Sequence, residues 1–211
     1  MNSELAANVA NELLRIKAVK LQPNNPFTWA SGWKSPIYCD NRKTLSYPNV
    51  RKLIAKGLAK GVREKFADAD VVAGVATGAI AVGLMVAEEL GLPFIYVRPK
   101  PKEHGLGNQI EGYLPENSKI VVIEDLISTG GSSLKAVDAL RETNSTVLGM
   151  MAIFTYGFAN ADENFEQAEC KIYTLSNYSE LVKLAVESGY VSESDLAQLN
   201  EWRKSPSTWK A

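Results

Sequence analysis

The sequence predicts an α/β fold: a central, mostly parallel sheet with helices on both faces, plus a small amino-terminal hood subdomain. Three observations carry this expectation. Apolar runs of strand length recur at residues 70–76, 94–97, 119–124, 146–156 and 171–175, and they are continuous rather than alternating, as strands covered on both faces require. Stretches with helical spacing lie between them, the pattern of a parallel sheet joined by crossover helices. The first forty residues break that rhythm.

Each element has a local reason. Leu5, Val9, Leu13, Ile16 and Val19 fall at helical spacing across residues 4–20. Residues 27–42 are rich in aromatics, Ser and Pro and read as short strands and turns. Tyr47-Pro48 opens a helix to about Phe66, because proline suits the first helical turn and Val50, Leu53, Ile54, Leu58 and Val62 share one face. Residues 70–76 form a buried strand, and Ile80–Leu90 a helix closed by Gly91 with Pro93 beyond it. Strands follow at 94–97 and 119–124, a helix at 132–142, strands at 146–156 and 171–175, and two closing helices at 178–189 and 193–204. No repeat or low-complexity linker divides the chain, so one domain over 1–211 is expected, with about 1–45 forming the hood.

Composition narrows the function. The 211 residues are 45% hydrophobic and 22% charged, which argues against disorder and fibrous repeats. With 23 basic and 24 acidic residues the chain is no polycation, so nucleic acid is not an expected partner. Residues 42–65 hold eight basic groups and one acidic group, best read as a solvated helix face. Cys39 and Cys170 form no CxxC, and His104 is the only histidine, which excludes sites needing two or three imidazoles. Glu4, Glu12, Arg15, Lys17 and Lys20 leave no apolar signal core in the first twenty residues. The longest uncharged stretch, 71–87, is broken by Gly74, Thr77, Gly78 and Gly83 and falls short of the roughly 20 apolar residues of a membrane span. A cytoplasmic protein without membrane contact is expected.

The chemistry concentrates in residues 119–134. An apolar strand runs into Glu124 and Asp125, followed by the small-residue loop 128–133 and a helix. Ligands sit at the carboxyl ends of strands in open parallel sheets. A Ser/Thr/Gly loop entering a helix offers free N–H groups and the positive helix end to a phosphate, and its glycines let the backbone approach. Adjacent carboxylates suit vicinal hydroxyls or a water-held Mg²⁺. Together they describe a cradle for a ribose 5-phosphate. An N-cap accounts for Ser132 but not for the acid pair placed directly after a buried strand. A second basic segment, residues 98–112, carries Arg98, Lys100 and Lys102 against Glu103 and bends at Gly105 and Gly107.

VVIEDLISTGG resembles the PRPP-binding signature of type I phosphoribosyltransferases. Residues 27–48, FTWASGWKSPIYCDNRKTLSYP, are similar to the amino-terminal block of orotate phosphoribosyltransferases, and RPKPKEHGLGNQIEG at 98–112 to their catalytic loop. The resemblance covers about residues 5–175, and on it the chain is identified as a member of that family. It implies the type I phosphoribosyltransferase fold and Mg²⁺-dependent transfer of the phosphoribosyl group from PRPP to orotate. It also implies a homodimer with shared active sites. The PRPP residues implied are Arg98, Lys102, His104, Glu124, Asp125, Leu126, Ile127, Ser128, Thr129, Gly130, Gly131 and Ser132, with Lys102, Asp125, Arg98 and His104 catalytic. Ala76, Thr77 and Gly78 would face pyrophosphate, and Ser128, Lys34 and Tyr38 orotate. No residue is a dedicated metal ligand; Mg²⁺ would be held by PRPP and water near Asp125. Ala30, Gly78, Pro99 and Tyr156 stand where relatives carry basic groups, which leaves the orotate carboxylate to Lys34, Arg42, Ser128 or backbone amides of 31–40. A purine phosphoribosyltransferase and a PRPP-sensing regulator are the competing readings.

Overall fold

The computed structural model describes residues 3–29, 31–101 and 109–210. The first helix, α1 (Ser3–Arg15), buries Val9, Ala10, Leu13 and Leu14. It stops short of the expected residue 20. Lys17 takes the left-handed conformation at φ 56°, its N–H bonds to the carbonyl of Leu14, and the N–H of Ala18 bonds to that of Leu13. This is the usual helix-closing pattern with lysine where glycine is common. Val19 then enters a strand, β1 (Val19–Leu21), where it is as buried as a helix would have made it.

Two small antiparallel pairs follow: β2 (Phe27–Thr28) with β3 (Lys34–Ser35), and β1 with β4 (Ile37–Cys39). A 3-10 turn over Asn41–Ser46 leads into α2 (Pro48–Lys65), with proline in its first turn as expected. Next come β5 (Val71–Val75), buried throughout, α3 (Ile80–Leu90) closed by left-handed Gly91, and β6 (Phe94–Val97). The later elements are β7 (Ile110–Glu111), β8 (Lys119–Ile127), α4 (Gly131–Arg141), β9 (Thr146–Thr155) and α5 (Ala159–Gln167). The chain closes with β10 (Ile172–Asn177), α6 (Tyr178–Glu187) and α7 (Asp195–Lys204).

The main sheet has six strands in the order β10-β9-β8-β5-β6-β7, parallel except for the β7 edge. Going from β5 through α3 to β6 the chain moves one way along the sheet; going from β8 through α4 to β9 it moves the other way. Right-handed crossovers therefore put α3 and α4 on opposite faces. The packing follows, with α1, α2 and α3 side by side and α4 against α5. Neighbouring strands β5 and β8 thus send their chains apart, and a crevice opens at their carboxyl ends.

Three expectations are corrected. β8 does not end at Glu124 but stays paired with β9 through Leu126↔Phe154 and Ile127↔Thr155, so the acid pair lies within the strand. α4 begins at Gly131 rather than Ser132. Neither α5 nor β7 was anticipated: α5 buries only Ala161 and Phe165, too little for an apolar stripe, and β7 is two residues long.

The amino-terminal hairpin and the last helix meet over the end of β9. Trp202 of α7 is fully buried, with Trp29, Tyr156, Phe158 and Tyr178 rings at 5.7, 5.8, 5.3 and 5.4 Å. Trp29 also stacks on Tyr156 at 5.2 Å. Arg203 bonds through Nε and Nη2 to the carbonyl of Gly157 and through Nη1 to Ser179 Oγ. Among the described residues no helix is long and apolar enough to cross a membrane. Trp202→Ala leaves a large cavity among these rings, and urea unfolding is expected to show a loss of about 3–5 kcal/mol.

Candidate active site

The crevice between β5 and β8 is lined by backbone that comes unusually close. At Gly78, in the turn after β5, a Cβ would lie 2.3 Å from Asp125 Oδ2, so the Asp125 carboxylate packs against bare backbone. At Gly74 a Cβ would meet the carbonyl of Ala79 at 2.8 Å, which makes the turn as tight as glycine allows. The peptide between Ala76 and Thr77 is cis.

The two acids differ. Glu124 is 4% exposed; its Oε1 accepts from the N–H of Asp125 at 2.9 Å and its Oε2 from Ser133 Oγ at 2.8 Å. Burial pushes its carboxyl well above the ordinary range, and the charge of Asp125 adds to that. Asp125 is half-buried, and its carbonyl accepts from Asn41 Nδ2 at 2.5 Å. Glu124 is thus enclosed, and Asp125 is the acid on the crevice side.

After Ile127, whose carbonyl accepts from the N–H of Tyr156, the chain turns through Ser128 and Thr129. Gly130 stands at φ 82° with the Phe165 ring 2.8 Å from where a Cβ would be, and Asn164 Nδ2 holds the carbonyl of Thr129 at 3.1 Å. The unanticipated α5 therefore braces this turn. α4 has no side-chain cap, so its first-turn N–H groups are free of one. Ser128 and Thr129 are half-exposed, Gly131 and Ser132 exposed. The arrangement suits an anion with a phosphate's oxygens.

A cavity of about 240 Å³ joins these parts: Ala76 from the β5 turn, Arg98 and Pro99 after β6, Gln109, and Ser132 and Lys135 of α4. Arg98 and Gln109 exchange hydrogen bonds, Arg98 N–H to the Gln109 carbonyl at 2.8 Å and Gln109 Nε2 to the Arg98 carbonyl at 2.9 Å. The Arg98 guanidinium lies 3.7 Å from Glu111. A wider cavity of about 520 Å³ lies between Pro101 with residues 109–116 and residues 139–145; it takes in the described ends of the 98–112 segment but none of the acid-pair or 128–132 residues.

The structure gathers Ala76, Gly78, Arg98, Asp125 and the 128–132 turn, with Thr77 exposed beside them. Leu126 and Ile127 serve as strand residues; Ile127 is core and places Ser128. Lys34 Nζ bonds to Thr28 Oγ1 at 2.9 Å, and exposed Tyr38 packs on Phe27 at 5.6 Å. Tyr156 is a core ring, 2% exposed, whose hydroxyl burial pushes up. Ala30, Lys102 and His104 lie outside the described residues. Sequence reasoning missed Asn41, Asn164 and Lys135, and it had Ser133 only as the last residue of the 128–133 loop, whereas its hydroxyl faces back to Glu124, one turn along from Gly130. Among the described residues no three His, Cys, Asp or Glu side chains cluster as a metal cage.

Fold and site define a phosphoribosyltransferase: the phosphoribosyl transferase domain family matches residues 44–187, and the chain belongs to it. Within it, the chain belongs with the orotate phosphoribosyltransferases. The enzyme of that name from Porphyromonas gingivalis strain W83 is 60% identical over 201 residues, 95% of this chain and 96% of the relative. The crystal structure of orotate phosphoribosyltransferase from Aeropyrum pernix superposes with a TM-score of 0.76 at 27% identity, covering 87% of this chain and 99% of that one. The Mycobacterium tuberculosis H37Rv enzyme in complex with PRPP gives a TM-score of 0.64 at 25% identity, over 84% and 98% of the two chains.

Two outcomes are expected. Gly78→Ala forces the Asp125 carboxylate aside, and steady-state kinetics should show kcat/KM for PRPP lower by roughly 100-fold, the scale of an ångström's misplacement. The second concerns pH. An unfolded Glu124 loses its proton near 4.5, whereas the folded one keeps it to higher pH. The folded state then binds more protons, and stability falls as pH rises through that window. Glu124→Gln cannot titrate, so its Tm relative to the parent should be higher at pH 8 than at pH 5.

Proposed function

We propose that this protein transfers the 5-phosphoribosyl group of PRPP to N1 of orotate, releasing pyrophosphate and giving orotidine 5′-monophosphate in pyrimidine biosynthesis. The observation that carries the reading is the placement of Asp125, lodged against Gly78 and directly ahead of the 128–132 turn on the open end of α4. Sugar hydroxyls and a 5′-phosphate need those two features one ribose apart.

In this reading the turn from Ser128 to Ser132 holds the 5′-phosphate. Asp125 accepts from the ribose hydroxyls, with enclosed Glu124 behind it. Ala76, Thr77 and Gly78 offer backbone to the pyrophosphate, Arg98 and Lys102 supply positive charge to it, and His104 closes over it with them. Orotate lies under the block containing Lys34 and Tyr38, within reach of Ser128. N1 of orotate, deprotonated, forms its bond to C1′ as the bond from C1′ to the diphosphate oxygen breaks, and the electron pair leaves with pyrophosphate. No covalent enzyme intermediate is needed. Rate comes from orientation and from fixed charge around a cationic ribosyl centre. Mg²⁺ bound to the PRPP oxygens would neutralise the diphosphate, with Asp125 able to bond its waters. We further infer a cytoplasmic homodimer in which each subunit's 98–112 segment serves the shared sites.

Orotate absorbance should fall when PRPP and Mg²⁺ are added to the pure protein, and hypoxanthine or adenine should not be consumed. Consumption of a purine base instead of orotate would overturn the assignment.

A further inference from the structure

Asn41 has no part in the reading above, yet it is 2% exposed and bonded in two directions. Its Nδ2 donates to the carbonyl of Asp125 at 2.5 Å, and its Oδ1 accepts from the Cys39 thiol at 3.4 Å. The bond to the Asp125 carbonyl sets the amide: turned over, it would aim oxygen at oxygen. Thr44 Oγ1, also buried, donates to the Asn41 carbonyl at 2.6 Å and holds the turn itself.

The place of the bond matters. β8 has a β5 neighbour only as far as Ile123, opposite Gly74, because β5 then turns away toward Gly78. The 3-10 turn that starts at Asn41 comes up against β8. Asp125 is held by side chains on both of its own backbone groups: its N–H by Glu124 and its carbonyl by Asn41. A carbonyl at this half-buried position that lost its donor would be left without a protein partner, and the peptide would shift to find another.

We propose that Asn41 is a positioning residue for Asp125, tying the block that carries Lys34 and Tyr38 to the acid that meets the sugar. The proposal rests on the reading of Asp125 as the ribose acid. Its backbone bond fixes where the carboxylate stands between Gly78 and the ligand, and it makes the amino-terminal block part of the PRPP site.

The test is a double-mutant cycle on the full chain, with Asp125→Asn, Asn41→Leu and the pair, plus Thr44→Val as a control that loosens the same turn without touching the amide. Asn41→Leu should lower kcat/KM for PRPP at least tenfold and leave KM for orotate within about threefold. Thr44→Val should stay within about threefold of the parent. The paired variant should be no worse than Asp125→Asn alone, because Asn41 acts through Asp125. Asn41→Asp, equal in shape but with an acceptor toward the carbonyl, should lose as much as Asn41→Leu, and it carries the same cycle if the leucine variant does not fold. A full additive loss in the pair, or equal losses in Thr44→Val and Asn41→Leu, would reduce Asn41 to a structural role and overturn the proposal. An unimpaired Asp125→Asn would instead overturn the reading of Asp125 itself.

Discussion

The structure turns on one close approach: the carboxylate of Asp125 against the bare backbone of Gly78. It exists because two adjacent parallel strands part company at their carboxyl ends, β5 toward α3 and β8 toward α4. Right-handed crossovers leave no other arrangement for that strand order. The acid and the glycine are therefore brought together by topology, and the small residues of both turns are what allow the backbone to come so near.

The acid pair divides its work by environment. Glu124 spends both oxygens inside the protein, on the next peptide N–H and on Ser133, and burial favours its neutral form. Asp125 stays half-exposed beside the crevice. Two like charges so close would repel if both were bare, and enclosure of one leaves the other to act. Around them the turn at 128–132 is braced from α5, and the cavity beyond it is lined by Arg98 and Lys135.

Much of this was legible in the sequence, for physical reasons that differ by element. Continuous apolar runs at 70–76 and 146–156, short and alternating with helical stretches, read as buried strands, and Gly91 ends α3 as its conformational freedom suggests. α1 was read too long because Val19 is buried whether it continues a helix or starts a strand, and lysine rather than glycine closes the helix. α5 was invisible because two buried residues make no stripe. At the site, the acid pair and its turn stood out as residue types in order. Asn41 did not, because its role is a bond across 84 positions, to which local spacing is blind. Tyr156, the end of the run read as a strand, stacks in the core with Trp29 and Phe158 where relatives carry a basic group. Of the residues singled out, Lys102 and His104 fall outside the described segment, so their places rest on family resemblance.

The most direct measurement is a crystal structure with PRPP and Mg²⁺ bound. The account predicts the 5′-phosphate on the N–H groups of Ser128 to Ser132, the ribose hydroxyls on the Asp125 carboxylate, and the diphosphate toward Ala76, Gly78 and Arg98. A 5′-phosphate seated anywhere else, with Asp125 free of the sugar, would contradict it.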